Sequence, residues 1–247
     1  MCIRDSNNIE YITISSQGNA EDFGDISYLA WEVRGGNNDT RGIVGGGYLP
    51  NVNKNNIDFI QLATLGNATD FGDLTYYVQG HASTASPTRV VWFGGLGNPN
   101  GTTQSDASTK NNTITFVEIA TTGNAENFGT LPTKTNSATA SSNGVRGFVM
   151  GGQAPSPFSA SDIFIITFAT KGDATDFGDN LATSPSYLPN IGTVANRNKA
   201  IVAAGVTINV IQSFSMHTTG LSADFGDLTV ARYAPGGVSD SHGGLTE

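Results

Sequence analysis

The 247 residues carry 12 Lys and Arg against 21 Asp and Glu, a formal net charge of −9, with 38% hydrophobic residues, 13% charged residues and 31 glycines. That balance argues against nucleic acid and against an anionic membrane as main partner, because both demand a basic surface. It leaves enough apolar material for a core, without the charge blocks of a disordered chain or a run long enough to insert in a membrane.

Taken in chain order, Met1-Cys2-Ile3-Arg4-Asp5-Ser6 reads like the translation of a transposase sequencing adapter. Residues 1–6 are therefore expected to be foreign, with the native chain starting before Asn7. Cys2 is the only cysteine, so no disulfide framework is expected. From Asn7 onward a motif recurs five times: GNAEDFGD ending at Asp25, GNATDFGD at Asp73, GNAENFGT at Thr130, GDATDFGD at Asp179 and GLSADFGD at Asp227. Its aromatic positions are Phe23, Phe71, Phe128, Phe177 and Phe225, separated by 48, 57, 49 and 48 residues. A period near fifty means stacked supersecondary units that bury their faces on one another. The approximate units are 7–54, 55–110, 111–160, 161–208 and 209–247, the last incomplete at Ser241-His242-Gly243-Gly244.

An apolar run precedes each motif, at 9–14, 57–62, 114–119, 163–168 and more weakly 210–216. A second run ending in glycine follows four of them, as in Val90-Val91-Trp92-Phe93-Gly94-Gly95 and Gly147-Phe148-Val149-Met150-Gly151-Gly152. These runs are short, β-branched or aromatic, and bounded by Gly, Asn and Pro, which predicts strands rather than helices. Being apolar at successive positions, they are expected to be covered on both faces. No segment carries helical periodicity with capping residues.

Within the motif, Gly18, Gly66, Gly123, Gly172 and Gly220 suit a tight turn at positive φ. The phenylalanine is expected to anchor the core between units. Gly24, Gly72, Gly129, Gly178 and Gly226 are expected to permit a bulge or the close approach of a neighbouring backbone. The closing aspartates, Asp25, Asp73, Asp179 and Asp227, are expected to accept hydrogen bonds from the next turn, with Arg41, Arg89 and Arg146 as candidate donors.

The order Gly94-Gly95, apolar strand 114–119, Gly123-Asn124, Phe128 resembles the kelch repeat family. Phe stands where that family usually carries Trp, and the three arginines directly precede the glycine strand. The resemblance implies an all-β fold, a β-propeller-like array of about five kelch-like blades. The tandem GNAxDFGDL repeat is also similar to structural proteins of marine phages, which implies a virion tail or fibre component. Copper-oxidase relatives of kelch proteins use a cysteine cross-linked to tyrosine, for which this chain has no native cysteine.

Catalytic and metal patterns are thin. Asp22 with Asp25 and Asp70 with Asp73 could offer oxygens to calcium, but Asn127 and Thr130 replace both carboxylates in the third copy. His81, His217 and His242 show no ligand spacing, and no serine lies in G-x-S-x-G. The reading is a non-enzymatic binding or structural protein without metal or cofactor. Its expected location is the virion or the extracellular space, and its partner a protein or glycan such as a host surface receptor or another virion protein. A cell-surface adhesion or carbohydrate-binding propeller is the alternative, and a propeller hydrolase or lyase comes third. The distance from strand-leading arginine to motif phenylalanine is 30 from Arg41, 39 from Arg89 and 31 from Arg146, so the long repeat carries an insertion after Gly95. Asn98, Asn100, Thr102, Thr103, Gln104 and Asp106 in that insertion are the candidate ligand-binding residues, because insertions between repeat strands emerge as loops at one end of the array.

Overall fold

A computed structural model describes residues 7–49, 52–99, 109–153, 161–180, 187–188, 191–205, 208–232 and 235–237. All regular structure among them is β-strand, in antiparallel pairs. The chain opens with a two-stranded sheet, β1 (Asn8–Tyr11) and β2 (Glu21–Asp25). The first four-stranded sheet follows: β3 (Arg34–Asn37), β4 (Arg41–Gly45), β6 (Val52–Gln61) and β7 (Thr69–Val78), with the two-residue β5 (Tyr48–Leu49) added to β6. The second runs β8 (Ala82–Ala85), β9 (Arg89–Phe93), β10 (Asn111–Glu118) and β11 (Glu126–Thr135). The third runs β12 (Thr139–Ser142), β13 (Arg146–Met150), β15 (Asp162–Thr167) and β16 (Thr175–Asp179). Beside it, β14 (Gly152–Gln153) pairs with β17 (Tyr187–Leu188). The fourth runs β18 (Gly192–Ala195), β19 (Lys199–Gly205), β20 (Ile208–Ser215) and β21 (Ala223–Asp227).

Each four-stranded sheet is a simple meander, and the first strands of the four sheets lie side by side. The Ser83 hydroxyl donates to Gly35 O (2.7 Å) and the Ser142 hydroxyl to Ala85 O (2.6 Å), tying β3 to β8 and β8 to β12. The result is an all-β, propeller-like array. Sequence repeats and sheets are out of phase: an apolar run and the motif after it supply the last two strands of one sheet, and the residues that follow supply the first two of the next. About five blades were expected. The described residues instead form four complete sheets plus β1–β2, because the first copy has no earlier inner strands among them to complete its sheet.

The apolar runs at 57–62, 114–119 and 163–168 are largely covered on both faces because sheet packs on sheet, whereas the first, 9–14, departs from expectation: its strand ends at Tyr11, and Ile12 and Ile14 are 65% and 94% exposed. One cluster joins Ile43, Ile57 and Phe71 of the first sheet to Val90, Trp92 and Val117 of the second. Another joins Phe93, Phe116 and Phe128 to Val149, Phe164 and Phe168, and a third joins Phe148, Ile163 and Phe177 to Val202, Phe214 and Met216. Burying side chains of this size stabilises by roughly 1.5–3 kcal/mol each.

The motif builds the joint between sheets. Ile57 pairs with Gly72 and Asp58 with Asp70, so Phe71 is an extra residue in β7, a β-bulge. The same slip falls at Phe23, Phe128, Phe177 and Phe225. The bulge breaks the alternation of faces and lets the ring enter the core between sheets. Phe23, Phe71, Phe128 and Phe177 are buried there, and Phe71 and Phe128 meet Phe59 and Phe116 edge to face. Phe225 departs from the expected anchor role at 55% exposure, because no described sheet follows β21 to cover it.

Around each bulge the next motif's turn is pinned by main-chain bonds. Gly123 N donates to Phe71 O (2.8 Å) and Ala125 N to Asp73 O (2.8 Å); equivalent pairs join Gly66 to Phe23, Gly172 to Phe128 and Gly220 to Phe177. The turn's second residue answers from its side chain: Asn67 Oδ1 accepts from Asp25 N, Asn124 Oδ1 from Asp73 N, and Asp173 Oδ1 from Thr130 N. The closing aspartates thus bond the next turn through their main chain.

His81 lies wholly inside, its Nε2 donating to Gly45 O (3.2 Å) while Nδ1 has no partner among the described residues. Burial, helped by the charge of Arg34, pulls its pKa from 6.5 down to about 3 against the pull of the Gly45 bond. The unfolded chain therefore binds more protons than the folded one between those values. This contribution to stability is full above pH 6.5 and falls as pH drops toward 3, by on the order of 1 kcal/mol per unit. Asp162 acts the other way: burial and the nearby Asp179 and Asp176 carboxylates raise its pKa from 3.8 to about 6, so it favours the fold as pH falls through that range. Because the two groups oppose each other below pH 6, denaturant titrations from pH 7 to 4 are expected to show the difference between variants: the native protein loses more stability toward acid than His81→Gln, by on the order of 1 kcal/mol per unit. Equal slopes would mean that His81 is not held neutral.

Candidate functional site

Where the four first strands converge, their side chains are small: Gly35-Gly36, Ser83-Thr84-Ala85, Ala140-Ser141-Ser142 and Thr193-Val194-Ala195. With little side-chain bulk at the axis, a cavity of about 390 Å³ remains between them. A second of about 370 Å³ adjoins it on the same strands, sharing Ser83, Ala140, Thr193 and Gly237 and reaching Arg34. The lining offers hydroxyls, the Asn37 amide and main-chain groups. Most are partly committed: Ser83 and Ser142 hold neighbouring strands, and Thr193 Oγ1 donates to Ile201 O (3.1 Å). The Ser141 hydroxyl is different. It has no hydrogen-bond partner among the described residues, but its oxygen is closed off from the cavity, so the groups that face a ligand are those of the other lining residues.

The strand-leading arginines do not serve the aspartates, contrary to expectation. Arg41 Nη1 donates to Ile119 O (2.8 Å) and Ala120 O (3.1 Å) in the second sheet, its guanidinium 4.9 Å from the Phe59 ring. Arg89 Nη1 donates to Phe168 O in the third sheet, its guanidinium 4.9 Å from the Phe116 ring and its Nε on Glu118 (2.6 Å). The reason is distance along the strand: these arginines start β4 and β9, level with the ends of the neighbouring sheet's third strand.

Of the insertion residues expected to bind ligand, only Asn98 is described. Asn100, Thr102, Thr103, Gln104 and Asp106 lie outside the described residues. The insertion's base is fixed by Leu96, which bridges to Gln79 and Lys110, and by Gly97 N donating to Thr109 O (2.9 Å). Phe23, Phe71, Phe128 and Phe177, with Gly24, Gly72, Gly129 and Gly178, sit at the sheet joints, away from the axis, while Phe225 and Gly226 have no described sheet against them. Among the described residues no three His, Cys, Asp or Glu side chains converge as metal ligands would. Sequence reasoning missed the axial lining, although a signal existed: Gly35, Ser83 and Ala140 each stand twelve residues after a motif phenylalanine, in stretches of small residues.

No family model matches the sequence, and no curated protein matches it either. Among solved structures, the fold is similar to the one titled "Structure of YjhT", with a TM-score of 0.72 at 11% identity, covering 95% of this chain and 87% of that one. At that identity the likeness concerns the fold.

Proposed function

We propose that this chain is a non-enzymatic binding protein that uses a kelch-like propeller as a recognition platform for polar ligands, a glycan or a protein surface. The observation that carries this reading is the axial cavity, with its hydroxyl, amide and main-chain lining. Such a lining suits hydroxyl-rich ligands, whose donors and acceptors would otherwise need water. The resemblance of the repeat to marine phage proteins supports a narrower version: a virion tail or fibre component, acting outside the cell on a host surface receptor.

Binding to a panel of neutral oligosaccharides tests the reading. Thr193→Val is expected to weaken binding by roughly three- to tenfold through one lost hydrogen bond, since Thr193 lines both parts of the cavity. Ala140→Phe, which fills the cavity, should abolish it. Binding that survives both changes places recognition elsewhere.

A further inference from the structure

The repeat provides its own control for the third strand-leading arginine. Arg41 and Arg89 are each stacked on a phenylalanine and bonded to a carbonyl of the next sheet. Arg146 starts β13 at the same place, but the position of Phe59 and Phe116 is taken by Ile165. Its guanidinium makes neither the stack nor the carbonyl bond, and it has no hydrogen bond or ion pair among the described residues. A cavity of about 330 Å³ opens beside it, lined also by Thr167, Thr170, Thr175 and Lys171.

We propose that this cavity is a binding site for the carboxylate of an acidic sugar, distinct from the axial cavity. A guanidinium presents paired donors that fit a carboxylate in two parallel hydrogen bonds, and a partly enclosed one gains more from that pairing than a fully solvated one. Three threonine hydroxyls around it match the vicinal hydroxyls of a uronate ring, which an acidic peptide side chain lacks. The volume suits one or two sugar residues. The charge balance limits the site to a single anionic group: Lys171 is already paired with Glu126, and Asp173 on the same wall accepts from the Thr130 amide and hydroxyl.

Titration calorimetry with an alginate-derived tetrauronate, a neutral laminaritetraose and a tetraglutamate peptide tests this. The expected result is binding of the uronate alone, weakened tenfold or more by Arg146→Gln. Ile165→Phe supplies the missing platform and is expected to draw the guanidinium into the stack seen in the first two sheets. It should weaken uronate binding to the same degree while melting no earlier than the native protein. No uronate binding by the native protein, equal binding of the neutral sugar or the peptide, or full binding by Arg146→Gln each overturns the proposal. Ala140→Phe should leave uronate binding unchanged, so failure here and failure at the axial cavity are read separately.

Discussion

Phe71→Ala is expected to destabilise the protein by about 3–5 kcal/mol, while the same change at Phe225 costs less than about 1 kcal/mol. Both residues occupy the same place in the same motif, and both are bulged residues in the last strand of a sheet. They differ in cover. Phe71 is 3% exposed, packed on Phe59 and gathered with Val90, Trp92 and Val117 of the next sheet; Phe225 is 55% exposed. Truncation at Phe71 removes the burial of a ring and leaves a cavity between two sheets that main-chain bonds hold in place, so collapse is restricted. Thermal or denaturant unfolding of the two variants measures the contrast directly. Equal losses would show that the motif acts through its local turn and not through the joint between sheets.

That contrast also shows what was legible in the sequence. The five-fold motif, the strand character of its flanks and the absence of helical periodicity all follow from residue type and spacing, and the strands form where those features place them. That the glycine at 72 serves a bulge or a close backbone approach was legible, because few other reasons exist for a recurrent Phe-Gly step after a strand residue; that both occur, the bulge at Phe71 and the approach at Gly72, was not. The phase of the sheets was not. A repeat specifies which residues recur but not where a sheet begins, and the first strands, such as Ala82–Ala85, are too small and polar to announce themselves as strands. Their smallness follows from the axis, where four backbones converge, and that is a tertiary fact. For the same reason Ser83 and Ala140 carried no signal of their own, although their place in recurrent stretches of small residues could have been noticed.

The arginines illustrate a different limit. Their recurrence at 41, 89 and 146 was plain, and the nearest repeated acids made a sensible partner. Sequence proximity misleads in a stacked array, because a residue at the start of one strand is level with the far end of a strand in the next sheet. Arg41 reaches a carbonyl 78 residues away and Arg89 one 79 residues away. Only with that geometry known does the exception at Arg146 become visible, since an isoleucine at 165 in place of phenylalanine is an ordinary choice in isolation.

The glycine after the bulge makes the strictest demand in the fold, and Gly72→Ala is expected to destabilise by about 3–5 kcal/mol. Two effects add. At φ +148° the backbone lies where side chains other than glycine's are strained, by about 1–3 kcal/mol. A Cβ there would also stand 2.5 Å from Gly123 O and 2.9 Å from Asn124 N, both main chain. Neither can yield without stretching the bonds from Gly123 N to Phe71 O and from Ala125 N to Asp73 O, which fix the next turn, and each such bond is worth about 1 kcal/mol. Gly226 separates the two effects. It has φ +142°, but a methyl group added there would meet no described atom within 4 Å, so Gly226→Ala carries the strain alone. Chemical denaturation should rank Gly72→Ala well below Gly226→Ala, with the gap reporting the contact between sheets. If the two variants unfold together, backbone conformation alone explains the glycine, and the turn-to-bulge contact contributes nothing to holding one sheet on the next.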